Sequence, residues 1–287
     1  MEVANFHSWH YADNNVAMKT IEPTYEKLWR STMHTGTMLI MQLLALAALY
    51  LLIAAWIYHK LSSLIDSSSK KTNLSIANIY SQIEALLGLY VEVKPTHGFP
   101  PMRGWAASPD FLYHLVRHIQ DTSPKTVLEC SSGVSTLIIS GCIRNYGGHV
   151  FSLEHDPVYA SKTRRLLELH KFEENAQIID APLGAIDLPD WHGSWYNIEQ
   201  LPKDKKIDML VIDGPPATIC AKARLPALYV LSELLAEECT IFLDDAARED
   251  ESLIVAQWLR EFPQFKLNEF AFAEKGIAVL TRSRSTR

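Results

Sequence analysis

Residues 126–155, TVLECSSGVSTLIISGCIRNYGGHVFSLEH, contain the pattern that decides the fold. A short apolar run, TVLEC, is followed by the small residues SSG, then by an apolar stretch of helical length, and then by a second apolar run, HVFSLEH. This order predicts a strand, a tight turn, a helix and a second strand, which is the unit from which parallel sheets are built.

The same alternation continues to the end of the sequence. Helices are predicted between most of the later strands, one of them over residues 225–236, and the last two strands have no helix between them. The predicted later strands cover residues 176–181, 207–213, 239–245, 265–272 and 275–282. We therefore expect an α/β fold with a doubly wound, seven-stranded, mostly parallel Rossmann-like sheet that ends in a C-terminal antiparallel hairpin.

A long apolar stretch precedes this domain. Residues 38–58, MLIMQLLALAALYLLIAAWIY, contain no charged residue, and as a helix they would span about 30 Å, the thickness of the hydrocarbon layer of a bilayer. Trp56 and Tyr58 stand at its end, where aromatic rings favour the headgroup layer. The stretch predicts one transmembrane helix, and the alternative is a buried core helix.

These features divide the chain into four parts. We expect a polar N-terminal segment over residues 1–36, a transmembrane helix over 37–59, a linker with an amphipathic helix over 60–98, and the Rossmann-like domain over 99–287. Apolar residues at helical spacing in the third part predict either a helix lying on the following domain or a short self-associating coil. They are Ile76, Ile79, Ile83, Leu86 and Tyr90.

Composition excludes several classes of protein. Among the 287 residues, 48% are hydrophobic and 21% charged, which is not the composition of a disordered chain. The net charge of −6 argues against general nucleic-acid binding. The four cysteines form no CxxC pair, which argues against a disulfide scaffold and against a cysteine-ligated zinc site.

The residues at the strand ends are the candidates for ligand binding, because ligands of open α/β sheets bind beyond the carboxyl ends of the strands. After the first strand, Ser131, Ser132 and Gly133 allow close approach of a ligand, although an ordinary strand–helix turn is the alternative. The spacing is neither GxGxxG nor a phosphate-binding loop, which disfavours a dinucleotide or ATP. Glu154, after the second strand, is placed to accept the hydroxyls of a ribose, unless it is a solvated loop acid.

Three carboxylates follow two other strands of the sheet. Asp213 ends one strand, and Asp244 with Asp245 ends the next, so we expect them to converge on one crevice. Clustered carboxylates repel one another unless cations or protons compensate them. The alternatives are a Mg²⁺ site, or salt bridges to Arg248 or Lys222 with one acid capping a helix.

At these residues the sequence from about 100 to 282 resembles the class I S-adenosylmethionine-dependent methyltransferases. VLECSSGVST stands in the place of the first motif of that family, SLEHDPVY in that of the ribose-binding strand, and VIDGPP and FLDDAARED in those of two later motifs. The one-plus-two aspartate pattern is similar to the metal-dependent, macrocin-type sugar O-methyltransferases of bacteria. Two departures are Ser131, where the family has glycine, and Pro215, where the macrocin type has an acid that serves as base.

The resemblance implies a role for each candidate residue. S-adenosylmethionine would be the cofactor, with Glu154 on its ribose and Asp180 near its adenine, while Mg²⁺ would be held by the three aspartates. The residues implied to surround its methionine part are Glu129, Ser131, Ser132, Gly133 and Ser135. The candidate catalytic residues are Asp213, which is also a candidate metal ligand together with Asp244 and Asp245, and His155.

The expected function is therefore O-methylation of a hydroxyl on a saccharide, lipid-linked or small-molecule acceptor, with Mg²⁺ assistance left open. The alternative is a catalytically silent methyltransferase-like subunit of a membrane complex. Because S-adenosylmethionine is a cytosolic metabolite, the domain is expected on the cytoplasmic side of the plasma (inner) membrane, in a single-pass protein. Residues 1–36 and 74–90 are the candidate contacts for a second copy or a membrane-complex partner, and no nucleic-acid partner is expected.

Overall fold

The computed structural model describes residues 12–271 and 273–282, and the chain divides into two compact units, one up to Leu74 and one from Ser75 onwards. The first eleven residues of the predicted N-terminal segment lie outside the described residues. Helix α1 covers Ala12–Val93, so the backbone is helical through residues 61–73, where the sequence predicted either a linker or an extension of the helix. No glycine or proline interrupts those residues, and this allows the helix to continue.

Among the described residues, α1 is the one helix that is long and apolar enough to cross a bilayer. Over Tyr25–Val93, its most apolar window has a mean hydropathy of 2.4, and none of that window is buried inside the chain. By length and composition it is a candidate membrane span.

The second unit contains a seven-stranded sheet with the strand order β3-β2-β1-β6-β7-β9-β8. The strands are β1 Thr126–Cys130, β2 His149–Glu154, β3 Ala176–Asp180, β6 Ile207–Ile212, β7 Leu235–Leu243, β8 Lys266–Ala271 and β9 Ile277–Arg282. All pair in parallel except β9, which is antiparallel to both β7 and β8. The predicted seven-stranded, mostly parallel sheet with a C-terminal hairpin is confirmed.

Helices cover both faces of this sheet. They are α2 Pro109–Thr122, α3 Val134–Ile143, α4 Pro157–His170, α5 Pro226–Leu231 and α6 Glu249–Glu261. Successive strand residues enter different core clusters: Val127 packs in one and Leu128 in the other. Burial on both faces explains why the strands have continuous apolar sequences rather than alternating ones.

A separate two-stranded hairpin, β4 Leu183–Leu188 and β5 Trp191–Tyr196, lies between β3 and β6 in the chain and was not predicted. The helix predicted over residues 225–236 was also too long, because α5 ends at Leu231 and β7 begins at Leu235. Leu235 pairs with Ile207 of β6, so strand pairing outweighs the helical propensity of this segment.

The last turns of α1 belong to the second unit. Their buried face is formed by Ala85, Leu89 and Val93, whereas Ile79 and Ile83 of the predicted apolar stripe are each 50% exposed. The helix therefore lies on the following domain with a different face from the one that the apolar spacing indicated.

Candidate active site

A cavity of about 540 Å³ opens at the carboxyl ends of β1, β2 and β6. This is the edge where open α/β sheets bind ligands, and the volume suits a small molecule. Of the sequence-predicted residues, the structure brings eight to its wall: Ser131, Ser132, Gly133, Ser135, Glu154, His155, Asp213 and Asp245. Glu129, Asp180 and Asp244 do not line it.

The loop after β1 has an unusual backbone. Ser131 has φ +121° and Gly133 has φ +150°, and both values lie in a region that favours glycine. The Ser131 backbone N–H donates to the Leu153 carbonyl at 3.0 Å, which ties the loop to β2. Ser131 thus adopts a glycine-like conformation at the position where the family that the sequence resembles has glycine.

Glu129 lies beneath this loop and is fully buried. Its carboxylate accepts hydrogen bonds from the hydroxyls of Ser135, of Thr136 at 2.6 Å and of Ser152 at 2.7 Å. Burial raises the pKa of Glu129 to about 7, against the lowering effect of those three hydroxyls. The carboxyl therefore fixes the start of α3 from below, and its predicted contact with the cofactor stays a prediction.

Glu154 ends β2 and faces the cavity with its carboxylate held in place. Its Oε2 accepts from the Ser132 hydroxyl at 2.9 Å, and its Oε1 accepts from the Asp156 backbone N–H at 3.0 Å. His155 Nδ1 lies 3.1 Å from the same Oε1. Each carboxylate oxygen has a second lone pair, so Glu154 retains capacity for two ligand hydroxyls.

Asp180, by contrast, is exposed at the end of β3. Its Oδ1 accepts from Arg164 Nη2 of α4 at 2.8 Å. Arg164 also donates to the backbone carbonyl of Ile178 at 2.9 Å, so this pair braces α4 against β3.

The three aspartates converge as the sequence predicted: Asp213, Asp244 and Asp245 each offer an oxygen within 4.8 Å of the others. The sequence reasoning missed the cation among them. Arg224 Nη2 donates to Asp245 Oδ2 at 2.7 Å and lies 3.4 Å from Asp213 Oδ1. Arg224 precedes α5 and carries no local motif, so only the folded arrangement identifies it.

Arg224 also bonds to the backbone of both strand ends. Its guanidinium donates to the carbonyl of Asp213 at 2.8 Å and to the carbonyl of Asp244 at 2.7 Å. Arg248, one of the two cations named from the sequence, adds a contact of 3.0 Å to Asp245 Oδ2. Lys222, the other, instead donates its backbone N–H to Asp250 at 3.0 Å.

Burial dominates the protonation of these acids. Desolvation raises the pKa of Asp213 to about 6, with Arg224 opposing the rise and Asp245 adding to it. The pKa of Asp244 is raised well above its ordinary value, first by burial and then by the negative charges of Asp213 and Asp245. At neutral pH Asp213 is therefore mostly ionised and close to its titration range.

The three aspartates also offer oxygen atoms that suit a divalent cation. Two buried oxygens, Asp244 Oδ2 and Asp245 Oδ1, have no hydrogen-bond partner among the described residues. Carboxylate oxygens are the ligands that Mg²⁺ prefers, and unpartnered buried oxygens favour a cation. The residues thus fit such an ion on the side of the cluster that Arg224 leaves free.

Tyr196 is a further residue of the cavity that the sequence reasoning missed. It ends the hairpin strand β5, and its buried hydroxyl has no partner within the described part of the chain. A Cβ added to Gly214 would overlap this hydroxyl, so glycine is required where the loop after β6 passes Tyr196. The unpartnered hydroxyl is a donor available to a ligand.

Part of the chain is similar to a known protein family. Residues 128–246, from β1 to the loop after β7, match a family model described as a methyltransferase domain. No curated protein shows significant sequence similarity to the chain.

The fold resembles that of the SAH-bound methyltransferase PaMTH1 of Podospora anserina. The TM-score is 0.53 at 15% identity, over 74% of this chain and 96% of the other. A putative O-methyltransferase from Klebsiella pneumoniae matches with a TM-score of 0.46 at 16% identity, over 69% of this chain and 90% of the other. An O-methyltransferase from Bacillus cereus in complex with SAH matches with a TM-score of 0.45 at 17% identity, over 71% of this chain and 91% of the other.

Proposed function

We propose that this chain is a class I S-adenosylmethionine-dependent methyltransferase and that it methylates a hydroxyl oxygen of a membrane-associated acceptor. The observation that carries the proposal is the cavity in which Glu154 and Asp213 face the same space at the ends of β2 and β6. One carboxylate is suited to a ribose, and the other to the proton of an acceptor hydroxyl.

Glu154 would bind the cofactor through its ribose. The hydroxyl of Ser132 and the backbone N–H of Asp156 hold the carboxylate in position, so little conformational entropy would be lost when the ribose binds. The tight turn at Ser131 and Gly133 would let the backbone approach the rest of the cofactor. S-adenosylmethionine supplies, when bound, a methyl group already activated by its sulfonium.

Asp213 would act on the acceptor. Burial raises its pKa to about 6, so at neutral pH its carboxylate would be available to accept the proton of the acceptor hydroxyl. Arg224, 3.4 Å from the Asp213 Oδ1, would keep that carboxylate oriented and is a positioning residue in this scheme. His155 is the second candidate for a catalytic role, because it lines the same cavity beside Glu154.

Asp213, Asp244 and Asp245 would hold Mg²⁺ in the metal-assisted, macrocin-like form of this reaction. The two unpartnered oxygens of Asp244 and Asp245 support this form. When bound, Mg²⁺ supplies a Lewis acid that lowers the pKa of an acceptor hydroxyl.

The apolar helix supports a proposal for the chemical class of the acceptor. A candidate span over residues 38–58 on the same chain would keep the enzyme at a bilayer, which favours a lipid-linked saccharide or another lipid alcohol as acceptor. We place the domain on the cytoplasmic side of the inner membrane, where the methyl donor is made. Residues 1–36 and 74–90 are proposed contacts for a second copy or a membrane-complex partner, in the case of residues 74–90 as an alternative to ligand binding there.

The test uses membranes from cells that produce the full-length chain, incubated with methyl-labelled S-adenosylmethionine. We expect label in the lipid or glycan extract that resists mild base, because a methyl ether resists it and a methyl ester does not. Asp213→Asn should lower the labelling rate about a hundredfold or more through loss of the base. Asp187→Asn, at an exposed carboxylate paired with His192 outside the cavity, should leave it unchanged.

The same preparation distinguishes an enzyme from a silent subunit. Calorimetry on the full-length chain in detergent should show S-adenosylhomocysteine binding that weakens about tenfold or more in Glu154→Gln, through loss of a charged hydrogen bond. Absence of binding in the folded wild-type chain would favour the silent subunit.

A further inference from the structure

A second cavity, of about 520 Å³, adjoins the first. It lies in the second unit, between the end of α1 and the segment that precedes α2. The two cavities share five wall residues: Pro100, Pro101, Gly104, Ala106 and Lys275. Lys275 stands where they meet, with its Nζ 4.0 Å from Asp245 Oδ1. The two cavities therefore lie side by side at Lys275, close to the acids of the first.

The wall of the second cavity is mainly apolar. From α1 it receives Ile79, Ile83, Leu86 and Tyr90, and from the connecting segment the residues 99–102, FPPM. Ile79 and Ile83 are half exposed although they face this concave surface. Exposed branched aliphatic side chains in a cavity of this size favour an apolar ligand.

Several polar groups of this wall are paired with one another, and three charged side chains also line it: Arg103, Glu274 and Lys275. Gln82 accepts from the Asp110 backbone N–H at 3.3 Å and donates to Asn78 at 3.4 Å, while the Ser108 hydroxyl donates to Asp110. The Tyr90 hydroxyl accepts from the Phe99 backbone N–H at 3.1 Å. Hydrophobic contact would therefore dominate binding along the part of the wall formed by α1 and residues 99–102, where the apolar side chains lie.

We infer that the second cavity is the acceptor site, and that it binds the hydrocarbon part of a lipid alcohol whose hydroxyl enters the first cavity. This inference rests on the proposed function, and it narrows the acceptor to an amphipathic molecule with an alkyl or isoprenoid chain. Lys275 sits at the boundary between the apolar and acidic parts, where the polar end of such a molecule would pass.

The experiment uses the full-length chain in phospholipid nanodiscs and a diazirine-bearing hexadecanol as the probe. After illumination, mass spectrometry compares the label on residues 79–86 with the label on residues 38–58, which serves as an internal reference for probe in the bilayer. In the wild-type chain we expect label on both segments. Ile83→Glu should lower the ratio about tenfold, because a charge replaces an apolar wall contact.

The matched control is Leu87→Glu, which changes a residue of the same helix that is 62% exposed and does not line the cavity. It should leave the ratio unchanged. Unaltered S-adenosylhomocysteine affinity in both variants shows that each is folded with an intact first cavity.

Three results would overturn the inference: no label on residues 79–86 in the wild-type chain, equal loss in both variants, or unchanged label in Ile83→Glu. A second copy covering these side chains would give the first of them, together with a particle containing two chains. Failure of S-adenosylhomocysteine binding with label still present would instead overturn the proposed function and leave the lipid site standing.

Discussion

At the scale of single residues, Arg224 changes how the negative charges of the three aspartates are compensated. Without it, the buried aspartates would need an ion or protons to compensate their charges. With it, one cation is built into the cluster, and its side chain contacts Asp213, Asp245 and, at 3.6 Å, Glu251. The arginine therefore stabilises the strand ends whether or not a metal ion binds beside them.

Replacing this arginine should be costly. Arg224→Met would leave the surrounding carboxylates buried without their cation, and we expect a loss of about 3–5 kcal/mol in the free energy of unfolding. Denaturant titration of the full-length chain in detergent measures it. Arg248→Met, which removes a half-exposed partner of the same Asp245, should cost less than about 1 kcal/mol. Similar costs for the two variants would contradict this assignment.

Glu129 gives the protein a predictable pH dependence. Its pKa of about 7 in the folded protein exceeds the ordinary 4.5, so between these pH values the folded state keeps a proton that the unfolded chain has released. The folded state therefore loses stability as the pH rises through this window, by up to about 3 kcal/mol.

Glu129→Gln should remove this contribution. The wild-type chain should lose stability relative to the variant as the pH rises from about 4.5 to 7, and the difference should then stay constant. Denaturant titration of both proteins over this range gives the difference in their free energies of unfolding, from which the contributions of the other titrating acids cancel. A difference that does not depend on pH would show that Glu129 titrates normally in the folded protein.

At the scale of elements, the loop between β1 and α3 holds a serine where glycine is favoured. Ser131→Gly should raise the free energy of unfolding by about 1 kcal/mol, because it relieves the strain of φ +121° at a non-glycine residue. Ser131→Ala keeps the strain while it removes the hydroxyl, so it should give no gain. Thermal unfolding of the two variants separates the effect of the backbone from that of the side chain, and an equal gain in both would attribute it to the side chain.

The sequence predicted those strands that a run of neighbouring apolar residues indicates. The apolar runs of β1, β2, β6 and β7 are buried on both faces, so hydrophobicity alone reveals them. The β4–β5 hairpin was missed because only Trp191 and the end of β5 are well buried, and its other strand positions are exposed or half exposed.

The residues of the candidate site also fall into two groups, those that a local sequence pattern predicts and those that it does not. Residues that directly follow a predicted strand, such as Glu154 and Asp213, lie where the topology of the sheet requires. Arg224 and Tyr196 reach the site through tertiary packing, which no local pattern encodes. Asp180 also follows a strand, but its pairing with Arg164 keeps it outside the cavity wall.

At the scale of the whole molecule, the candidate membrane span and the first cavity are supplied by different parts of the chain. The first cavity is lined only by residues beyond position 99, whereas the candidate membrane span is supplied by residues 38–58. Membrane attachment and cofactor binding should therefore respond to different substitutions.

Introducing charge into the apolar stretch tests this separation. Leu46→Arg combined with Leu49→Arg should move the full-length chain from the membrane pellet to the soluble fraction after alkaline carbonate extraction, since each arginine costs about 2.5–3.5 kcal/mol at the centre of a span. Leu28→Arg with Trp29→Arg, at exposed positions of α1 outside the stretch, should leave the chain in the pellet. Both proteins should bind S-adenosylhomocysteine like the wild type, because the cavity is untouched. A wild-type chain already in the soluble fraction would refute the anchor, and lost cofactor binding in the first variant would refute the separation of the two tasks.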